Sequence, residues 1–310
     1  MKKFSETSKV LLVGDNPFHN ISHLSRERTR LRDKSTVLPE RAADLIHLAV
    51  ENGANGFMFS VSETTLSILK SLKEREEIEG LKLYGIVPYA YDYVKLATQV
   101  GGISGLAKKV GVRVVTSRNL KANVTGAIGF LKMDLSAIMK TYVAYEISRI
   151  RSAAGRNAKI SCILLHEVVT DLALALNMEW LFKAYVEFME KQRIACGFNT
   201  CNFAYLINKL GEWGLDPSQI VVAAPFNKAG FQMSPSREEC EQVLKSLDKP
   251  LLVAISVLAA GYLKPREALE YIGTLPNVKG LALGVSKEAH AKETFKMAKN
   301  LIESKAGFKE

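Results

Sequence analysis

The sequence predicts an α/β fold, a closed (β/α)8 TIM barrel with a long insertion after the third strand, and three observations lead there. Eight short apolar runs recur along the chain: Val10–Gly14, Gly56–Ser60, Leu83–Val87, Ile160–Leu165, Ile194–Gly197, Ile220–Ala224, Leu251–Ile255 and Gly280–Gly284. Runs apolar on both faces read as strands of a parallel sheet covered on both sides. Amphipathic helical stretches fill most of the gaps, so successive strands run parallel, and right-handed crossovers repeated around the sheet close it on itself. A length of 310 residues suits one such barrel with an insertion, so residues 1–310 read as a single domain.

The connections follow in order. After the first strand a long loop, Asp15 to Leu38, reaches Pro39, which fits the first turn of a helix whose Ala42, Ala43, Leu45, Ile46, Ala49 and Val50 share one face. Asn52-Gly53 ends that helix. Ser62 caps the second helix ahead of Thr65, Leu66, Ile68, Leu69 and Leu72, and Glu63 suits its dipole. After the third strand, Pro88 to about Lys132 is an insertion. It is read as a lid over the catalytic face and, equally, as a structural or dimerising segment, which leaves a homo-oligomer open. It holds a helical stretch around Val94–Val110 that Gly101, Gly102 and Gly105 make irregular. A helix carrying Leu135, Ile138, Met139, Tyr142, Val143, Ile147 and Ile150 precedes the fourth strand. Ser234-Pro235-Ser236 and Pro265 open later helices, and a last helix runs from about Lys287 to Ser304.

Composition excludes several classes. No apolar run reaches the roughly 20 residues that span a bilayer, so no membrane partner is expected. Met1 to Ser8 lacks the apolar stretch of a secretion signal, and the four cysteines (Cys162, Cys196, Cys201, Cys240) show no CxxC spacing, which points to a reducing cytoplasm. The formal charge of +10 raises nucleic acid as a partner, but the lysines alternate with glutamates along helices, as in Lys70 to Glu77, so none is expected. Arg26, Arg28, Arg30 and Arg32 follow the first strand; they read either as a positive rim that attracts a small anion or as a solvated loop paired with Glu27 and Asp33.

Barrel chemistry sits on loops leaving the C-terminal strand ends, and this locates the candidate residues. The first strand runs into Asp15, Asn16, His19 and His23, where imidazoles and an amide can position a reacting group. The fourth runs into His166 and Glu167, an imidazole beside a carboxylate suited to general acid or base work. The fifth and sixth run into Asn199 and Asn202, then Asn227 and Lys228, groups that orient a carbonyl or carboxylate; Lys228 reads either as a Schiff-base lysine or as a solvated one. Small residues after the last two strands, Gly261, Gly284 and Ser286, let backbone N–H groups approach a phosphate, or simply make tight turns. The chain has no P-loop, HExxH or nucleophile elbow.

The stretch Asn16 to Ser25 (Asn-Pro-Phe-His-Asn-Ile-Ser-His-Leu-Ser), with Leu258-Ala259-Ala260-Gly261 and Gly284-Val285-Ser286, resembles a group of aldolase-type barrel proteins of unassigned reaction, distantly similar to aldo-keto reductases. The resemblance covers nearly the whole chain. It implies that His166 matches the reductases' histidine after the fourth strand and that Gly284-Val285-Ser286 looks like their cofactor-phosphate segment. The reductases' Asp, Tyr and Lys have no counterparts, since the second strand runs into Ser60-Val61-Ser62-Glu63 and the third reads Gly85-Ile86-Val87-Pro88-Tyr89; Tyr89 or Tyr91 would have to serve as a relocated donor.

The leading expectation is an enzyme acting on a small anionic metabolite, carbonyl-bearing or phosphorylated. His166, His19 and Glu167 are its catalytic groups; Asn16, His23, Asn199, Asn202, Asn227 and Lys228 bind the substrate; Gly261, Gly284 and Ser286 hold a phosphate. Three alternatives stay open. One is an NADP-dependent reductase. Another is a lyase or hydrolase with a divalent metal on Asp15, His19, His23, His166 and Glu167. The third is a noncatalytic ligand-binding barrel.

Overall fold

The computed structural model describes residues 9–19, 38–88, 134–249 and 251–303. Each apolar run becomes a strand: β1 Val10–Gly14, β2 Gly56–Ser60, β3 Lys82–Val87, β4 Lys159–Leu165, β5 Ala195–Asn199, β6 Val221–Pro225, β7 Leu251–Ile255 and β8 Val278–Gly284. All pairings are parallel and the order is sequential; β1 meets β8 from Val10↔Gly280 to Gly14↔Gly284, which closes the barrel. Three strands keep their expected bounds. β5 and β6 slide one or two residues onward because Ile194 and Ile220 donate their N–H groups to turns, at Met189 O (3.4 Å) and Pro217 O (3.4 Å). Asn199 and Pro225 then enter the ladder opposite Ala223 and Ile255. An apolarity criterion passes over those two residues, and both stand at the chemically important end.

The helices, numbered among the described residues, are α1 Pro39–Glu51, α2 Glu63–Glu74, α3 Leu135–Ala154, α4 Glu167–Ala175, α5 Glu179–Gln192, α6 Phe203–Glu212, α7 Arg237–Ser246, α8 Pro265–Thr274 and α9 Glu288–Glu303. Local chemistry fixes their starts. Pro39 and Pro265 occupy first-turn positions, and Ser62 with Thr65 forms a capping box. Asp134 and Ser236 accept from the backbone N–H three residues on. The pair α4 and α5 after β4 is less legible, because Val168 and Leu172 point outward and are more than half exposed, which blurs the apolar face. The insertion expected over 88–132 lies, apart from Pro88, outside the described residues, as do His23 and Arg26 to Arg32.

Strand alternation divides the apolar side chains into two layers. Leu11, Val13, Phe57, Phe59, Leu83, Val87, Ile163, Leu165, Cys196, Phe198, Val222 and Ala224 pack outward against the helices. Phe57 and Phe59 stack at 4.9 Å between centroids, and Phe182 meets both Phe198 and Trp213 at 4.9 Å. Each such fully buried ring contributes on the order of 2–3 kcal/mol through removal from water. The barrel interior holds Val10, Leu12, Met58, Tyr84, Ile86, Cys162 and Leu164 on the β1–β4 half, and the smaller Ala195, Val221, Ala223 and Val253 on the other. Gly197 is packed to the limit there: a Cβ would stand 2.8 Å from the Val221 carbonyl oxygen and 2.9 Å from Leu164 Cγ. The same alternation places Ser60, His166 and Asn199, each two residues beyond an interior or ladder neighbour, on the inner face at the C-terminal mouth.

Candidate active site

The first corner of the mouth is a turn. Pro17 and Phe18 are buried, and the Phe18 N–H donates to the Asp15 carbonyl oxygen at 2.8 Å, closing a short 3-10 turn over Asn16–His19. That curvature brings Asp15 and His19 to one side. Asp15 Oδ2 accepts the Ser60 backbone N–H from the end of β2 at 2.7 Å and contacts His19 Nε2 at 3.1 Å, with the two side chains only 8% and 6% exposed. Asn16 is exposed on the rim.

The second corner is His166. Its N–H donates to the Val87 carbonyl oxygen at 2.8 Å, continuing the β3–β4 ladder past the strand, and its side chain caps α4: Nδ1 accepts the Val168 N–H at 3.2 Å. With Nδ1 an acceptor, the neutral ring carries its proton on Nε2. Burial holds the imidazole below its ordinary value, while the charges of Asp15 and Asp171 pull the other way. Nε2–H is thus the donor of the neutral ring, within reach of the charges of Asp15 and Asp171.

A third group was not foreseen. Asp171, four residues after Glu167 on the same face of α4, accepts from Thr200 Oγ1 and from the Cys201 N–H (3.2 Å), tying α4 to the β5 loop. Glu167 is half-buried, and burial with the nearby Asp171 raises its pKa; Cys201 Sγ lies 3.9 Å from its Oε2. Burial and the same two carboxylates push the Cys201 thiol up to about 12, so it is a neutral thiol rather than a nucleophile. The signal for Asp171 in the sequence is its spacing from Glu167.

The amides divide. Asn199 is 6% exposed and its Oδ1, fully enclosed, accepts no hydrogen bond from the described residues. Asn202 is half-buried at the start of α6, its N–H given to Thr200 Oγ1 (2.9 Å). Asn227, expected to orient substrate, instead closes its own loop. Its Oδ1 accepts from Phe231 N (2.8 Å) and its Nδ2 donates to Phe231 O (2.9 Å). Lys228 takes the solvated reading: its Nζ pairs with Glu267 at 2.7 Å, 54% exposed, and its carbonyl oxygen accepts from Arg237 Nη1.

After β7 and β8 the backbone is small and tightly curved. Ala259, Ala260 and Gly261 have φ of 45°, 56° and 87°, and Ser256 and Gln232, also left-handed, are joined by a 3.3 Å side-chain hydrogen bond. Gly284 is exposed at the mouth, and a Cβ on it would lie 3.0 Å from Pro17 Cγ; Ser286 follows, half-buried, ahead of α9. The Ala259 and Gly261 N–H groups are spent within the turn, on the Ser256 and Leu258 carbonyl oxygens at 2.8 Å each, so the anion-binding role expected of Gly261 falls away, and Gly284 with Ser286 remains as the small, open turn. Among the described residues no three His, Cys, Asp or Glu side chains converge to hold a metal. None of the described helices is long and apolar enough to cross a membrane.

No family model matches the sequence, and no curated protein matches it. Solved structures do match. A candidate aldo-keto reductase from Pseudomonas aeruginosa is similar with TM-score 0.58 and 14% identity, over 94% of this chain and 91% of that one. An aldo-keto reductase from Bacillus halodurans in its holo form gives 0.52 and 11%, over 94% and 90%. A glycerol dehydrogenase from Gluconobacter oxydans gives 0.50 and 9%, over 96% and 91%. The fold is therefore the eight-stranded parallel barrel of the aldo-keto reductases. The inner positions at the ends of β2 and β3 carry Ser60 and Ile86, neither of them an acid, a tyrosine or a lysine.

Proposed function

We propose that the chain is an enzyme acting at the carbonyl of a small metabolite in the barrel mouth, with His166 as the electrophilic group. The observation that carries this is the Nδ1–Val168 contact, which leaves Nε2–H as the ring's donor in a half-buried position on the inner face. A carbonyl oxygen accepting from Nε2 is polarised, and charge that develops on it is met by a donor already oriented and partly out of water. Asp15 connects the two imidazoles: it contacts His19 directly and its charge acts on His166. His19, oriented by that carboxylate, is the second group that moves a proton. Asp15 and Asp171 favour a transient positive charge on the His166 ring, and Gly284 with Ser286 holds an anionic end of substrate or cofactor.

A second reading, nicotinamide-dependent reduction, is favoured by the likeness to a holo reductase and by the exposed small turn at Gly284, with Ser286 ahead of α9, which suits a cofactor phosphate. When bound, such a nucleotide supplies a hydride to the carbonyl carbon. Here the reductases' tyrosine and lysine find no substitute among the described inner strand-end residues, and of the described groups His19 and His166 are the ones placed to protonate the product.

The test is a panel of small ketones, aldehydes and their phosphorylated forms, followed by NMR in D2O with and without NADPH, using wild type and His166→Ala. Turnover or α-proton exchange that falls about 100-fold or more in the folded variant supports the reading. Full activity in His166→Ala removes it, and binding without turnover leaves a ligand-binding barrel. Saturable NADPH binding by calorimetry decides the second reading.

A further inference from the structure

We propose that the substrate carries a hydroxyl on the carbon next to its carbonyl, and that Asn199 Oδ1 accepts from that hydroxyl while His166 donates to the carbonyl; this rests on the reading of His166 given above. Asn199 is the strongest unexplained group at the mouth. Its side chain is more than nine-tenths buried, yet Oδ1 has no donor among the described residues, although buried acceptors in folded proteins are almost always matched. Nothing in its own loop uses it: Thr200 bonds Asp171 and Asn202, and Asn202 gives its N–H back to Thr200.

Geometry sets what fits. Leu164 pairs with Gly197 across the β4–β5 ladder, so two residues on, His166 and Asn199 stand side by side on the inner face, one strand spacing of about 4.8 Å apart. One presents a donor and the other an acceptor. A vicinal hydroxy-carbonyl presents the complementary order on neighbouring carbons. The surroundings select a neutral hydroxyl over a carboxylate at that carbon. Glu167 and Asp171, on the helix that His166 caps, make this side of the mouth rich in acceptors, and Lys228 is engaged with Glu267 at the surface. A second negative charge against these groups is disfavoured.

Hydroxyacetone and butanone test this, since they differ only by hydroxyl against methyl. Titrated by NMR into the 15N-labelled full chain, wild type is expected to bind hydroxyacetone about tenfold or more tightly than butanone, because butanone leaves the acceptor unmatched. Asn199→Ala should bring the ratio to about one, whereas His166→Ala should weaken both ketones alike. Equal affinity of wild type for the two ketones overturns the inference and leaves the His166 reading standing; failure of both to bind overturns both. An unchanged ratio in Asn199→Ala combined with lost NADPH binding also overturns it, by assigning the acceptor to the nucleotide. If that variant does not fold, the wild-type ratio decides alone.

Discussion

Replacing Asp15 separates the structural from the electrostatic work of the mouth. The carboxylate is almost wholly buried, accepts the Ser60 N–H at 2.7 Å and contacts His19 at 3.1 Å. In Asp15→Ala the Ser60 N–H loses its acceptor inside the protein, at about 1–3 kcal/mol, and His19 loses its partner. A loss on the order of 3 kcal/mol follows. At roughly 2.1 cal/mol/K of unfolding entropy per residue, this lowers the melting temperature of a chain this long by about 5 °C. Asp15→Asn keeps an amide oxygen for Ser60 and should cost less than about 1 kcal/mol. It removes the charge, however, and since that charge raises the His166 pKa against burial, the variant's imidazole should titrate lower than in wild type. Urea unfolding measures the first quantity. The second is read from the histidine Cε1 resonances, with His166→Gln assigning the signal among the five histidines. An Asp15→Ala protein as stable as wild type, or an Asp15→Asn protein as unstable as Asp15→Ala, refutes the hydrogen-bonding account. An unmoved His166 pKa in Asp15→Asn refutes the electrostatic one.

Three further outcomes are expected. Because His166 is held below its ordinary 6.5, the unfolded chain takes up this proton first, so its stability contribution is full above about pH 6.5 and is lost as pH falls through the folded value; His166→Gln should flatten that slope in unfolding measured across the range. Gly197→Ala forces a methyl against the Val221 carbonyl and Leu164, and a destabilisation of about 1–3 kcal/mol by urea melts is expected, with a change below about 0.5 kcal/mol counting against the packing described. Cys201, pushed from 9.0 up to about 12, has about a thousandfold less thiolate than an ordinary cysteine, so iodoacetamide at pH 8 should label it far more slowly than in the unfolded chain; equal rates would show that neither burial nor its carboxylate neighbours hold the thiol protonated.

The barrel was legible because each strand is apolar on both faces and each helix start carries its own chemistry, such as Ser62 or Pro265. The strand ends were less so: Asn199 and Pro225 belong to β5 and β6 by ladder geometry, which hydropathy does not encode. In the site, His166 could be located from its position after an apolar run. The acceptor of the Ser60 N–H lies 45 residues away in Asp15, a distance no local pattern reports. Asn227 shows the converse limit. Its residue type and place suited substrate binding, but a glycine-containing turn from Asn227 to Phe231 lets its amide satisfy its own loop.

The capping of α4 by His166 has a consequence for the product. Because Val168 occupies Nδ1, the ring cannot turn over without uncapping the helix, and in the function proposed above a carbonyl would approach the one remaining nitrogen from a fixed direction. A planar carbonyl docked that way shows only one of its two faces to any group attacking across the mouth. The handedness of a newly formed stereocentre would then be decided by the first turn of a helix that itself takes no part in bond making.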